Sequence, residues 1–172
     1  MNIHQLMEAF AKLGETHIGR GPKDPLSNNL ELTKATEQYL ALYPFLKRDQ
    51  GYGDFLEFYS GAYLFQPTNG LAIDIFGFTQ ESSNINELES PTLDKDGYLA
   101  FCDVALPKKD SNELEGTGFA FDATGQRQNG IYRAVISNIN DSTVMSFYWY
   151  CSNFLEWLEI LINSNGHFPE RV

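Results

Sequence analysis

Apolar positions in the first thirteen residues fall at Ile3, Leu6, Met7, Phe10 and Leu13, the spacing of one face of an α-helix over residues 2–13. Gly14 stands where a left-handed residue would end that helix. Residues 14–29, GETHIGRGPKDPLSNN, carry Gly, Pro, Ser and Asn at turn-forming density and read as a surface loop. Helical period returns over 33–47, TKATEQYLALYPFLK, with Thr33 as cap and Leu40, Tyr43 and either Phe45 or Leu46 on one side. Pro44 interrupts it, because proline removes a backbone donor and clashes with the preceding turn. The helix either breaks near Leu42 or restarts around Tyr43 with Pro44 in its first turn. A third helical piece over 52–59 puts Phe55, Leu56 and Tyr59 on one face, and Gly61 lets the chain turn out of it.

Beyond Gly61 the period shortens to that of strands. AYLF (62–65), GLAIDIFGF (70–78), GYLAFCDVA (97–105), GTGFAFDAT (116–124), GIYRAVIS (130–137) and TVMSFYWY (143–150) are short β-branched or aromatic runs between turn residues. Asp94-Lys95-Asp96-Gly97 and Ala123-Thr124-Gly125 supply turn chemistry, and Pro107 to Gly116 reads as a charged loop. The chain closes on a helix with Phe154, Leu155, Leu158, Leu161 and Ile162 in a stripe, Ser152 or Asn153 at its start and Asn165-Gly166 at its end. Helices, then consecutive strands, then a helix predict a single α+β domain, its mainly antiparallel central sheet flanked by N-terminal helices and a C-terminal helix. Residues 1–29 form an N-terminal helix and loop, 30–163 the body, and 164–172 a tail.

Composition narrows the functional classes. The 172 residues are 42% hydrophobic and 14% aromatic, enough to bury a core without a metal or disulfide. Cys102 and Cys151 lie in apolar runs with no metal or redox spacing, which predicts buried, inert thiols. The first residues lack the pattern of a signal peptide and no apolar run approaches membrane-spanning length, so the expected compartment is the cytoplasm. A formal net charge of −11 opposes binding to nucleic acid or an anionic membrane.

Catalytic and cofactor signals are weak. Asp94, Asp96 and Gly97 resemble the start of a calcium loop, but the later oxygen ligands do not follow. The GxG of GTGFAFD leads into a strand, so no helix N-terminus waits to hold a phosphate. His4, His17 and His167 lie in terminal or loop segments without metal-ligand spacing. A carboxylate pair such as Asp74 and Asp122 would meet across the sheet if acid/base chemistry were present. The expectation is no enzyme, no cofactor and no metal. Between Glu81 and Asp122 ten acidic residues stand against three lysines, the composition of a patch that docks a basic protein. Asp94, Asp96, Asp103, Asp110, Glu113 and Glu115 are its candidate contacts.

The order of motifs resembles the SUKH superfamily, which takes in a fungal regulator of cell-wall synthesis and many bacterial immunity proteins. The resemblance is carried over about residues 30–163 by YGDFLEFYSGAYL, GLAIDIFGF, GYLAF, GTGFAFDATG, IYRAVI and SFYWYCSNFLEWLEILI. It implies an α+β fold with no catalytic residues to carry over. It also implies a protein-binding role, foremost the neutralisation of a cognate bacterial toxin or another basic protein. A regulatory scaffold or ligand-sensing domain linked to cell-wall synthesis is the alternative.

Overall fold

The alternation that begins at Ala62 is realised as an antiparallel meander in which each strand pairs with the next in sequence. The computed structural model describes residues 1–27, 30–77, 93–107, 114–139 and 142–170. Among them the order is α1 (Ile3–Phe10), β1 (Glu15–Ile18), α2 (Leu30–Leu42), α3 (Phe45–Arg48), α4 (Gln50–Phe58), β2 (Ala62–Gln66) and β3 (Leu71–Ile75), followed by β4 (Tyr98–Pro107), β5 (Leu114–Asp122), β6 (Ile131–Ile139), β7 (Ser142–Cys151) and α5 (Phe154–Asn163). The sheet runs β1-β2-β3-β4-β5-β6-β7, antiparallel throughout. This is the α+β domain expected.

One face of the sheet makes the core. Leu64, Ile73, Ile75, Leu99, Phe101, Phe119, Phe121 and Ile131 point to that side and are buried. They pack against Leu6 and Phe10 of α1, Tyr52, Phe55 and Leu56 of α4, and Phe154, Trp157, Leu158 and Leu161 of α5. Rings dominate the contact: Phe101 lies 4.6 Å from Phe121 and 5.2 Å from Trp157, and Tyr52 lies 5.2 Å from Phe154, centroid to centroid. Such pairs add to the stabilisation that burial alone provides. The buried Tyr52 hydroxyl donates to the Phe76 carbonyl at 2.9 Å, so the ring enters the core without an unmet polar group.

The helices start where side chains meet orphan N–H groups. Asn2 and Gln5 form a reciprocal capping box on α1, and the Asn153 side chain accepts the Glu156 N–H at the start of α5. The end of α5 uses Asn165 at φ +52 and Gly166 at φ +86, the stop expected. Among the described residues no helix is long and apolar enough to cross a membrane.

Several boundaries differ from expectation. Gly14 does not take a left-handed conformation; α1 ends at Phe10 with Ala11 as its C-cap, and Gly14 instead lies where a Cβ would collide with the Phe65 carbonyl. The expected loop contains β1, a four-residue strand against β2 whose period is too short to rise above the surrounding Gly and Pro. α2 begins at Leu30, so Thr33 is inside the helix and not its cap. The helix does break at Leu42, and Pro44 is the N-cap of α3. At the charged 107–116 segment β4 reaches Pro107 and β5 begins at Leu114, so Leu114 to Gly116 are strand. Phe168, in the expected tail, packs 4.5 Å from Phe119 and 5.4 Å from Trp157. Cys102 and Cys151 are buried and not joined in a disulfide, in line with the expectation of buried thiols.

Candidate functional site on the open sheet face

Among the described residues no helix packs on the second face of the sheet, and its side chains follow from register. Ala72 pairs with Ala105 and Asp74 with Asp103; Ala100 pairs with Ala120, Asp103 with Gly118 and Ala105 with Gly116; Gly118 pairs with Ala134. Alanine and glycine therefore occupy neighbouring positions across β3 to β6 on the side away from the core. Larger groups stand around them: Tyr63 on β2, Ile136 on β6, and Met145 and Phe147 on β7. Small floor and tall margins enclose a hollow of about 390 Å³.

A bulge decides what reaches this face. Between Ala100 and Cys102 the pairing of β4 with β5 shifts, so that Phe101 and Cys102 both enter the core. Strict alternation from Leu99 would bury Asp103. After the bulge Cys102 and Val104 are inside and Asp103 is outside, exposed and opposite Asp74. Two carboxylates thus stand on one margin of an otherwise apolar hollow. Burial pushes the Cys102 thiol beneath them far above its usual value, and the charges of Asp103 and Asp74 push it further, so this cysteine is inert at neutral pH.

At the other margin a second cluster is closed on itself. Tyr98 stacks on Phe147 with centroids 3.9 Å apart, and the Arg127 guanidinium lies 4.2 Å from the Tyr98 ring centre. Arg127 also donates to an Asp122 carboxylate oxygen and to the Asp96 carbonyl, each at 2.8 Å. Burial opposes the charged form of Asp122, whose side chain is only 4% exposed, but bonds from Thr124 and Arg127 outweigh it and lower its pKa.

The candidate contacts separate. Asp94 spends its carboxylate on its own turn, accepting the N–H groups of Asp96 at 2.9 Å and Tyr98 at 2.8 Å. Asp96 is exposed beside it. Asp103 lies five residues beyond Tyr98 along β4, about 17 Å away at the usual rise of a strand. Asp110 and Glu113 lie outside the described residues, as do Glu81, Glu87 and Glu89; the Glu115 backbone pairs with Leu106, and its side chain is outside the described set. The pair Asp74 with Asp122 is not the one the fold makes: Asp122 is bound to Arg127, and Asp74 meets Asp103.

No family model, curated protein or solved structure matches the chain. The site therefore stands on its own residues. Among those described, no group of three His, Cys, Asp or Glu side chains is placed to hold a metal ion. The exposed His4 ring pairs with the Tyr59 hydroxyl at 2.7 Å on the helical side of the molecule, away from the hollow. Sequence reasoning had reached Asp74 and Asp103 separately but missed the hollow. Its only linear signal is small residues at alternate positions, as in GTGFA (116–120), and that pattern acquires meaning once neighbouring strands are in register.

Proposed function

We propose that the protein is a non-enzymatic protein-binding module whose open sheet face receives a basic partner, and that the partner is a toxin neutralised by direct binding in the cytoplasm. The observation that carries this reading is a sheet face that no helix covers among the described residues: an apolar hollow with two carboxylates on its margin, in a chain of net charge −11. Ile136 and Met145 beside it are 50% and 54% exposed, a side-chain class that gains most from being covered. The resemblance to the SUKH superfamily supports the same class of role. An acidic surface of this kind raises the encounter rate with a basic toxin and occupies the cleft that its substrate would enter.

The hollow also supports a second reading, a regulatory scaffold or ligand-sensing domain tied to cell-wall synthesis, because its volume falls within the range of small-ligand sites. Co-expression with the products of the flanking genes separates the two. The first reading expects a stoichiometric complex with a toxic neighbour, relief of that toxicity, and binding that weakens as salt rises from about 0.1 M to about 0.5 M. Flanking genes of envelope synthesis with no toxic product favour the second, and a complex indifferent to salt removes the charge-guided part of the first.

A further inference from the structure

Among the described residues β7 is the last strand of the sheet, and it is ten residues long. The ladder between β5 and β6 ends where Gly118 pairs with Ala134, yet β6 and β7 stay paired as far as Ile139 with Ser142. Within the described residues Val135–Ile139 and Ser142–Ser146 therefore pair only with each other, as a two-stranded ribbon that has parted from β5. At the point of parting the Thr117 hydroxyl donates to the Ala134 carbonyl at 2.8 Å. The ribbon is apolar on both faces. Ile136 opposes Met145 on the open face, and these side chains are 50% and 54% exposed. Val135 and Val144 lie on the opposite face and are 40% and 41% exposed, with Tyr148 at 61% further along β7. A ribbon of two strands is marginal in water, and a further strand is what stabilises it.

Sheets guard their edges with charged side chains, proline, bulges or very short strands. From Ser142 to Trp149 β7 has none of these: it carries no charge and no proline, and its register with β6 shifts only beyond Trp149, at the Ile131/Tyr132 step. From Ala134 to Cys151 the sequence holds one charged residue, Asp141. The charge pattern selects the occupant. A basic foreign strand finds no carboxylate along β7 to recognise it. A second copy brings the same uncharged stretch, in a chain whose net charge of −11 opposes its approach by acidic surfaces.

Symmetry adds to this. A two-fold axis normal to the sheet sets two copies of β7 antiparallel and keeps each face on its own side. Whatever the register, Met145, Phe147 and Trp149 then meet one another on the open face, while Val144, Ser146 and Tyr148 meet on the other. Aromatic and β-branched pairs so placed stabilise a sheet, and no charge is set against a like charge.

We infer that β7 is a dimer edge, on which two copies of the chain join strand to strand, doubling the ribbon and continuing one sheet into the other. Both hollows then open on the same side of the dimer. The pairing does not depend on what the hollow receives.

A contact of this extent belongs with weak, reversible interfaces, so the intact purified chain is expected to pass from monomer to dimer between about 1 and about 200 µM in sedimentation velocity. Raising salt from about 0.05 M to about 0.5 M is expected to strengthen the dimer, since it screens the repulsion between two acidic chains. Hydrogen exchange over 143–150 is expected to slow as the chain is concentrated, with β2 and β3 unchanged. Met145→Lys and Tyr148→Lys, one on each face of β7, are each expected to weaken the dimer about tenfold or more and to leave the melting temperature of the dilute monomer unchanged. Leu30→Lys, at an exposed position on α2, and Ala100→Leu, in the floor of the hollow, are expected to leave it intact.

A chain that stays monomeric over that range at both salt concentrations overturns the inference. So does a dimer that survives both lysine substitutions on β7, one that Leu30→Lys weakens as much, or one that salt dissolves. Loss of the dimer in Ala100→Leu overturns it in favour of contact through the open faces, and growth beyond the dimer overturns it in favour of open-ended association. A monomer that instead forms a complex with a flanking gene product, lost in Tyr148→Lys, overturns it in favour of a foreign strand. If the lysine variants fail to fold, the native chain decides: slowed exchange on concentration that is not confined to β7 overturns the pairing.

Discussion

The Asp49 carboxylate accepts the backbone N–H of Phe154 at 3.0 Å, tying the residue that precedes α4 to the first residue of α5 across 105 positions of chain. That N–H is one of the orphan donors of the α5 start, so a side chain from another helix caps it. Replacing Asp49 with alanine leaves the donor without its acceptor and is expected to cost about 1–3 kcal/mol, read as a lower urea midpoint.

The same residue gives a pH signature. Burial raises the Asp49 pKa above the usual carboxylate range, against the pull of the Phe154 N–H. A carboxyl raised on folding stabilises most when protonated. Its contribution is therefore present below the unfolded value and is lost as pH rises through the raised one. Relative to Asp49→Asn, the native chain is expected to lose stability as pH climbs out of the ordinary carboxylate range, and parallel stability curves for the two would refute this.

Asp122 carries the opposite sign. Its pKa is lowered, so its stabilisation is present above the ordinary value of about 4 and is lost as pH falls through the depressed one. Asp122→Ala removes the acceptor for Thr124 and Arg127 and is expected to cost about 1–2 kcal/mol at neutral pH, measured by chemical unfolding. The cost is expected to shrink in acid.

Gly61 follows the end of α4. Ser60 takes the left-handed position at φ +55 with its N–H on the Phe55 carbonyl, and Gly61 continues at φ +120, a region that β-branched residues avoid. Gly61→Val is expected to destabilise by about 1–3 kcal/mol, and an unchanged melting temperature would show that the turn accommodates a side chain.

Gly51 lies inside α4 although glycine weakens helices, and the reason is packing. A Cβ there would come within 2.8 Å of Leu155 Cγ on α5. Gly51→Ala gains helix propensity of about 1 kcal/mol yet forces an overlap of about 1–3 kcal/mol, so a net loss is expected. Shortening Leu155 to alanine removes the obstacle. The double variant is expected to be more stable than the two single effects sum to, as a double-mutant cycle would record.

These positions separate what was legible in the chain from what was not. The helical stripes of α1 and α5 and the six runs that became β2 to β7 were readable because periods of 3.6 and 2 are local properties, set by which side chains face one core. Gly51 and Gly14 were not readable, since their reason lies in Leu155 and Phe65, residues distant in sequence. β1 was hidden for the same cause: four residues become a strand because the edge of β2 offers them partners.

The candidate site shows the division most clearly. The sequence by itself determined a single α+β domain, an acidic chain, and carboxylates at 74, 103 and 122. Tertiary structure alone decided that Asp74 meets Asp103 and that Asp122 meets Arg127. The physical reason is the bulge in β4. One extra residue between Ala100 and Cys102 reverses the parity of every side chain after it, turning Asp103 from the core to the open face, and such a shift depends on the pairing of two strands.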